Sequence, residues 1–355
     1  MDIVILIGAL LIILLGAELF TNGIEWFGRK LELAEGAVGS VLAAVGTALP
    51  ETLIPIIAIL FASGASSHAI GVGAILGAPF MLATLAMFVT GVAVLWSARK
   101  RPEGDVMRVD TKVLAHDMRY FAIAYALAIG AAFLPLEPVW LKWIVAVVLL
   151  GIYAWYVKGH FDADPDVDVE DLAPLRFHRL DAGAHRVDPA VPRLRVVNLQ
   201  VLAALGLILI GAIFFVDSVS HLSTTLGVDP ALLALVIAPL ATELPEKFNS
   251  IIWVRQRKDT LAMGNITGAM VFQSTIPTVV ALVFASSTWV IAEGSYVAFA
   301  SAGIAFLSSA FIFIPMARTG TLHGKGLLVG GLFYLAYLGL VIATINGVFG
   351  PTETH

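Results

Sequence analysis

Two carboxylates occupy equivalent apolar settings in this chain. Glu51 ends the run Ala43-Ala44-Val45-Gly46-Thr47-Ala48-Leu49-Pro50-Glu51, and Glu246 ends Ala238-Pro239-Leu240-Ala241-Thr242-Glu243-Leu244-Pro245-Glu246, 195 residues further on. Placing a carboxylate at the centre of a bilayer costs about 2.5–3.5 kcal/mol, so a duplicated one points to chemistry. The bland alternative is a protonated Glu that ties helices together by a hydrogen bond, and two such acids at matching positions argue against it. The prolines sharpen the case, because each removes an N–H and releases the carbonyl four residues earlier. Pro50 and Pro245 release Gly46 and Ala241, Pro55 releases Glu51, and Pro277 releases Gln273. Loose carbonyls at membrane depth persist only where they line a cavity or an ion site. Thr47 and Thr242 add hydroxyls one turn from each acid. Carbonyl, hydroxyl and carboxylate oxygens together suit hard cations, with sodium and calcium the first candidates.

The second run carries extra charge. Glu243, Glu246 and Lys247 fall within five residues, and Glu243 and Lys247 form an i,i+4 pair on one helix face. Lys247 either serves as a tethered cation in space that would otherwise take a mobile ion, or locks two helices, or snorkels to a surface.

The elements that must position these groups are transmembrane helices. The chain is 59% hydrophobic and 13% charged, with a mean hydropathy of +0.92, which excludes an ordinary soluble domain. Ten apolar spans are expected, near 2–23, 37–62, 69–96, 119–134, 138–157, 196–216, 230–254, 260–285, 289–315 and 326–349. The repeat register holds without a gap from Gly16/Gly211 through Ile57/Ile252, with Ala17/Ala212, Phe20/Phe215, Leu31/Leu226 and Val41/Val236 also identical. Five spans per half force the second half into the membrane upside down. The expected architecture is therefore an all-α polytopic membrane protein of two inverted five-helix repeats, 1–157 and 196–355, joined by a linker, 158–195.

All of the 21 lysines and arginines except Lys142 and Lys247 fall in loops on one side. That side is expected to be cytoplasmic, with both termini outside and the protein in the cell (plasma or inner) membrane. The start Met1-Asp2 lacks the basic region of a cleavable signal, so the first span reads as retained. The linker holds eight acids, six bases and four prolines, too polar to build a core. Its run Asp162-Ala163-Asp164-Pro165-Asp166-Val167-Asp168 resembles the start of a calcium loop, but Val167 replaces the turn glycine and Ala173 the closing Glu. It reads first as solvated linker and second as a regulatory cation site. Glu18, Asn22 and Glu25 share a face of the first span and read as an interfacial stripe or a cytoplasmic vestibule. Asp217, the repeat partner of Asn22, reads the same way, and His68 reads as interfacial.

At these residues the chain resembles the cation/calcium antiporter superfamily, the sodium/calcium exchangers and their relatives. Each half in that family carries Gly-Thr-Ser-x-Pro-Glu, followed on the next helix by Gly-Asn-x-x-Gly-Ser-Asn-x-x-Asn or Asp. The resemblance covers roughly 16–95 and 211–285 and implies that Thr47, Glu51, Thr242 and Glu246 are cation ligands. The departures are large. The motif serine is Ala48 in one half and Glu243 in the other. The following helix reads Gly73-Ala74-Ile75-Leu76-Gly77-Ala78-Pro79-Phe80-Met81-Leu82 in the first half. In the second it reads Gly264-Asn265-Ile266-Thr267-Gly268-Ala269-Met270-Val271-Phe272-Gln273, with Gln273 where the family has Asp. The candidate ligand set is thus Thr47, Glu51, Thr242, Glu243, Glu246 and Gln273, with Lys247 compensating charge.

The resemblance implies a secondary active cation antiporter, exchanging calcium or a similar cation for sodium by alternating access. Spans two, three, seven and eight would hold the ion while spans one and six move against them. A proton-coupled cation exchanger is the first alternative, because the same acids can carry protons. A sensory or light-driven protein with a lysine-linked chromophore on Lys247 is the distant one. No His-Glu-x-x-His, nucleotide loop or nucleophile elbow argues for an enzyme. The expected partners are inorganic cations and the lipid bilayer, with no nucleic acid and no cofactor. The lack of cysteine excludes disulfides.

Overall fold

The computed structural model describes residues 2–30, 49–62, 66–163, 173–181, 192–242, 244–292 and 295–345. They form helices α1 (Asp2–Lys30), α2 (Leu49–Leu60), α3 (Ser67–Met81), α4 (Met87–Ser97), α5 (Thr111–Gly130) and α6 (Trp140–Ala163). The later half gives α7 (Leu194–Leu226), α8 (Pro230–Thr242), α9 (Leu244–Arg255), α10 (Asp259–Phe284), α11 (Tyr296–Thr319), α12 (Gly324–Leu327) and α13 (Val329–Ile345). Among the described residues, 7 helical stretches are long and apolar enough to cross a membrane. α5 is not one of them, because Lys112, Asp117 and Arg119 load its first half with charge. The outer skin is aliphatic and aromatic: Val4, Ile7, Leu11 and Leu15 on α1, and Trp143 and Trp155 on α6, stand exposed, as a lipid-facing surface requires.

Helix contacts are set by small residues. α1 packs chiefly on α7, and the contact is reciprocal. A methyl group added at Gly16 would stand 2.7 Å from Ile208 and 3.1 Å from the Ala204 carbonyl oxygen, while one at Gly211 would stand 2.8 Å from Ile13 and 3.0 Å from the Ala9 oxygen. Ala204, Ile208 and Gly211 are the repeat partners of Ala9, Ile13 and Gly16. The interface is therefore the same set of residues read twice, and the pairs run in opposite chain directions, so the two helices are antiparallel. Gly73 and Gly77 do the same for α3 and α8: any Cβ there would overlap the carbonyl oxygens of Ala231 and Leu235. This is small-xxx-small packing, in which bare glycine surface lets two backbones approach. Between α3 and α4 the chain makes one π turn, Leu82–Ala86. Pro79 has already disturbed the ladder there, and Ser308 of α11 donates to the Ala83 carbonyl at 2.6 Å.

The structure differs from the sequence reading at several bounds. α5 starts at Thr111 rather than Arg119 because Asp110 caps it, accepting from the backbone N–H groups of Lys112 at 2.9 Å and Val113 at 3.3 Å. The span expected at 289–315 starts at Tyr296, and the one expected at 326–349 is reached through α12. The span expected at 37–62 is described only from residue 49. A short antiparallel pair, β1 (Val106–Met107) with β2 (Leu322–His323), adds strand to the expected all-α chain. It belongs to a loop pinned by a buried ion pair. Both Arg101 guanidinium nitrogens Nη1 and Nη2 donate to the Asp259 carboxylate, which also accepts from the Arg108 N–H at 2.8 Å. Both side chains are nearly sealed, at 3% and 0% exposure. Removing one partner strands a buried charge, which costs about 3–5 kcal/mol. Asp259→Ala should therefore lower the unfolding midpoint in detergent sharply, whereas an unchanged midpoint would show that the pair does not hold this loop.

Candidate functional site

Of the sequence-derived candidates, the structure describes the side chains of Glu51, Thr242, Lys247 and Gln273, and all four are buried. Glu51 lies in the first turn of α2 and is 5% exposed. Gln273 is buried on α10, and α10 packs directly against α2, α3 and α9. Lys247 is buried on α9 at 6% exposure, and Thr242 is buried at the end of α8. Glu246 lies on α9, but its side chain, with Thr47 and Glu243 entire, lies outside the described residues.

The hydroxyls around these groups are turned into acceptors. Thr242 Oγ1 donates to the Ala238 carbonyl at 3.0 Å, so its hydrogen is committed to its own helix. On α10, Ser274 Oγ and Thr275 Oγ1 both donate to the Val271 carbonyl at 2.9 Å. Each hydroxyl oxygen then presents lone pairs without a competing hydrogen, which is the state a cation ligand needs. Thr52 and Ser250 add buried hydroxyls on α2 and α9. Carboxylate, amide and hydroxyl oxygens buried on these helices are of the types that can replace the water of a small cation.

Besides Asp259, sequence reading missed a buried acid on α5. Asp117 on α5 is 1% exposed and accepts from Thr267 Oγ1 at 2.6 Å and Tyr156 Oη at 3.1 Å. It ties α5 and α6 to α10, the helix that carries Gln273. Placing the start of that span at Arg119 hid it, and the Asp110-Thr111 cap was the available signal. Lys142, expected inside a span, sits in the first turn of α6 and is fully buried. Its ammonium donates to the carbonyls of Ser286 at 2.6 Å and Trp289 at 2.9 Å, so it fastens the loop after α10. The stripe on α1 divides in the same way. Asn22 is buried and polar-bonded, whereas Glu18 is 60% exposed. Asp217 is exposed, 3.7 Å from His221.

Glu51 and Gln273 are thus buried on packed helices inside a bundle of membrane-length helices. A family model described as sodium/calcium exchanger protein matches residues 1–159 and 197–346. The chain belongs to that family. It is similar to an uncharacterized membrane protein of Methanocaldococcus jannaschii, 23% identical over 265 residues, covering 73% of this chain and 74% of the relative. Among solved structures, the H+/Ca2+ exchanger CAX matches with a TM-score of 0.67 at 16% identity, over 98% of this chain and 85% of its own. The sodium-calcium exchanger NCX_Mj, soaked with sodium and strontium, matches with a TM-score of 0.54 at 17% identity, over 95% and 97%. At these identities the likeness is one of fold.

Proposed function

We propose that this protein exchanges calcium or a similar cation for sodium by alternating access, with Glu51 and Glu246 as the paired acids of one central site. The single observation that carries the reading is Glu51, a carboxylate buried in the first turn of α2 against the helix that holds Gln273. Its repeat partner Glu246 lies on α9. Thr47, Thr242, Glu243 and Gln273 complete the proposed ligand set, and Lys247 supplies a fixed positive charge.

Two inverted five-helix repeats, 1–157 and 196–355 around a central linker, are the proposed frame. Its support is the antiparallel α1–α7 interface, in which repeat-related residues exchange places, and the family match in two stretches. α1 and α7 are the proposed moving pair. The placement of lysine and arginine supports a cytoplasmic linker with both termini outside. Cysteines introduced at Ser66 and Thr354 should then react with impermeant reagents from outside, and one at Ala182 only from within. Labelling of Ala182 from outside would overturn the orientation.

One observation favours a proton-coupled variant of the same cycle. The positions that supply polar ligands in the first half of the family are Ala74, Ala78 and Leu82 here, which leaves fewer oxygens for several sodium ions. Binding separates the variants from a silent site. Calcium at about 100 times its dissociation constant adds about 2.7 kcal/mol to the folded state. The unfolding midpoint should rise with calcium in the native protein and not in Glu51→Gln. Indifference of the native protein to calcium, strontium and sodium alike would count against the site.

A further inference from the structure

The central linker does more than connect the halves. Its residues 173–181 lie across the ends of α1 and α7, held by two buried carboxamides, Asn22 at 6% exposure and Gln200 at 0%. Asn22 Nδ2 donates to the carbonyls of Ala173 at 3.2 Å and Pro174 at 3.4 Å. Asn22 Oδ1 accepts from the Arg176 N–H at 3.0 Å and from Gln200 Nε2 at 3.0 Å. Gln200 Nε2 also donates to the Leu19 carbonyl at 2.8 Å, and Gln200 Oε1 accepts from the Phe177 N–H at 2.8 Å. Every amide hydrogen of the pair is thus used, and one connected network spans α1, the linker strap and α7. Beneath it Leu175 is buried against Trp26 and Val197. The two carboxamides grip the strap through its main chain, and the buried Leu175 side chain adds an apolar anchor.

Repeat symmetry does not account for this network. The repeat partners of Asn22 and Gln200 are Asp217 and Ile5, and both are exposed, Ile5 at 39%. The clamp is an addition at one end of an otherwise reciprocal interface. It also acts where α1 needs it, because α1 rests chiefly on α7 and presents an exposed aliphatic face on its other side.

We propose that Asn22 and Gln200 are positioning residues that, through the strap, bind α1 and α7 into one body that moves as a unit during exchange. This rests on the proposed role of α1 and α7 as the moving pair. Two helices free to tilt separately would complete the joint displacement less often, and exchange would slow. The clamp makes their displacement common while leaving the ion ligands untouched.

The test uses the full-length protein in proteoliposomes, with calcium as the probe ion and opposing sodium or proton gradients. Asn22→Ala, Gln200→Ala and Arg176→Pro, the last on the exposed strap outside the helices, are compared with the native chain. Maximal exchange should fall about tenfold in each variant, the scale of stranding a buried polar partner. The calcium concentration at half-maximal rate should stay the same, and hydrogen exchange at the backbone N–H of Phe177 should quicken. Quickened exchange at Phe177 with a native maximal rate would overturn the proposal, as would a matching loss of calcium affinity. Where one variant fails to fold, Arg176→Pro or the remaining amide variant decides. A native protein that moves no calcium under either gradient refutes the exchange reading itself, a result distinct from native exchange with indifferent variants.

Discussion

Glu51→Gln and Glu246→Gln should each cut calcium exchange by more than about 100-fold while leaving the protein folded and inserted. Loss of a group that merely orients a ligand typically costs 10–100-fold, and a ligand itself should cost at least as much. Glutamine keeps the shape and one oxygen but removes the charge, so packing around α2 and α9 survives. Glu51 sits at 5% exposure, where a neutral side chain is easier to bury than a charged one. Stability should hold or rise while transport disappears, and a purely structural carboxylate would not separate the two. Native flux in either variant, measured on protein of unchanged melting behaviour, would remove that residue from the site.

Lys247→Ala should change what drives the cycle rather than stop it. Glu51, Glu243 and Glu246 together carry three negative charges when ionised, and the Lys247 ammonium leaves two. One divalent ion, or two monovalent ions in exchange, then balances the proposed site, which makes the cycle electroneutral. Without the ammonium a buried negative charge lacks compensation, and a proton or an additional cation must supply it. Lys247→Ala should acquire a pH dependence or a response to membrane potential that the native protein lacks. The double variant with Glu243→Gln should regain part of the native behaviour, because the two charges are proposed partners. Unchanged voltage and pH responses in Lys247→Ala would make the lysine a bystander.

The features legible in the sequence were those written twice or spaced by helix geometry. Glu51 stood out because Glu246 repeats it, and Gly16 belongs to the same aligned set as Gly211, whose contacts the structure shows to be reciprocal. Asp117 and Asp259 stayed hidden for a different reason. Each is buried only because partners some 150 residues away reach it, Thr267 and Arg101, and no local pattern announces such a pairing. Hydropathy also placed the start of α5 too late, since charge near Arg119 outweighed the helix-starting signal of Asp110. The strap was least legible. A segment read as solvated linker has its residues 173–181 docked, because Asn22 and Gln200 recognise main-chain groups that every sequence possesses. The acidic run before it, Asp162 to Asp168, extends from the end of α6 into residues outside those described.

Exchange itself is the most direct test. Purified protein reconstituted into liposomes loaded with sodium at one pH should take up labelled calcium when diluted into sodium-free medium, and stop when the gradient is collapsed. A parallel set loaded with acid and lacking sodium identifies proton coupling. The account predicts uptake that requires an opposing cation gradient and is lost in Glu51→Gln. Calcium entry that persists without any opposing gradient, or no entry under either, would contradict it.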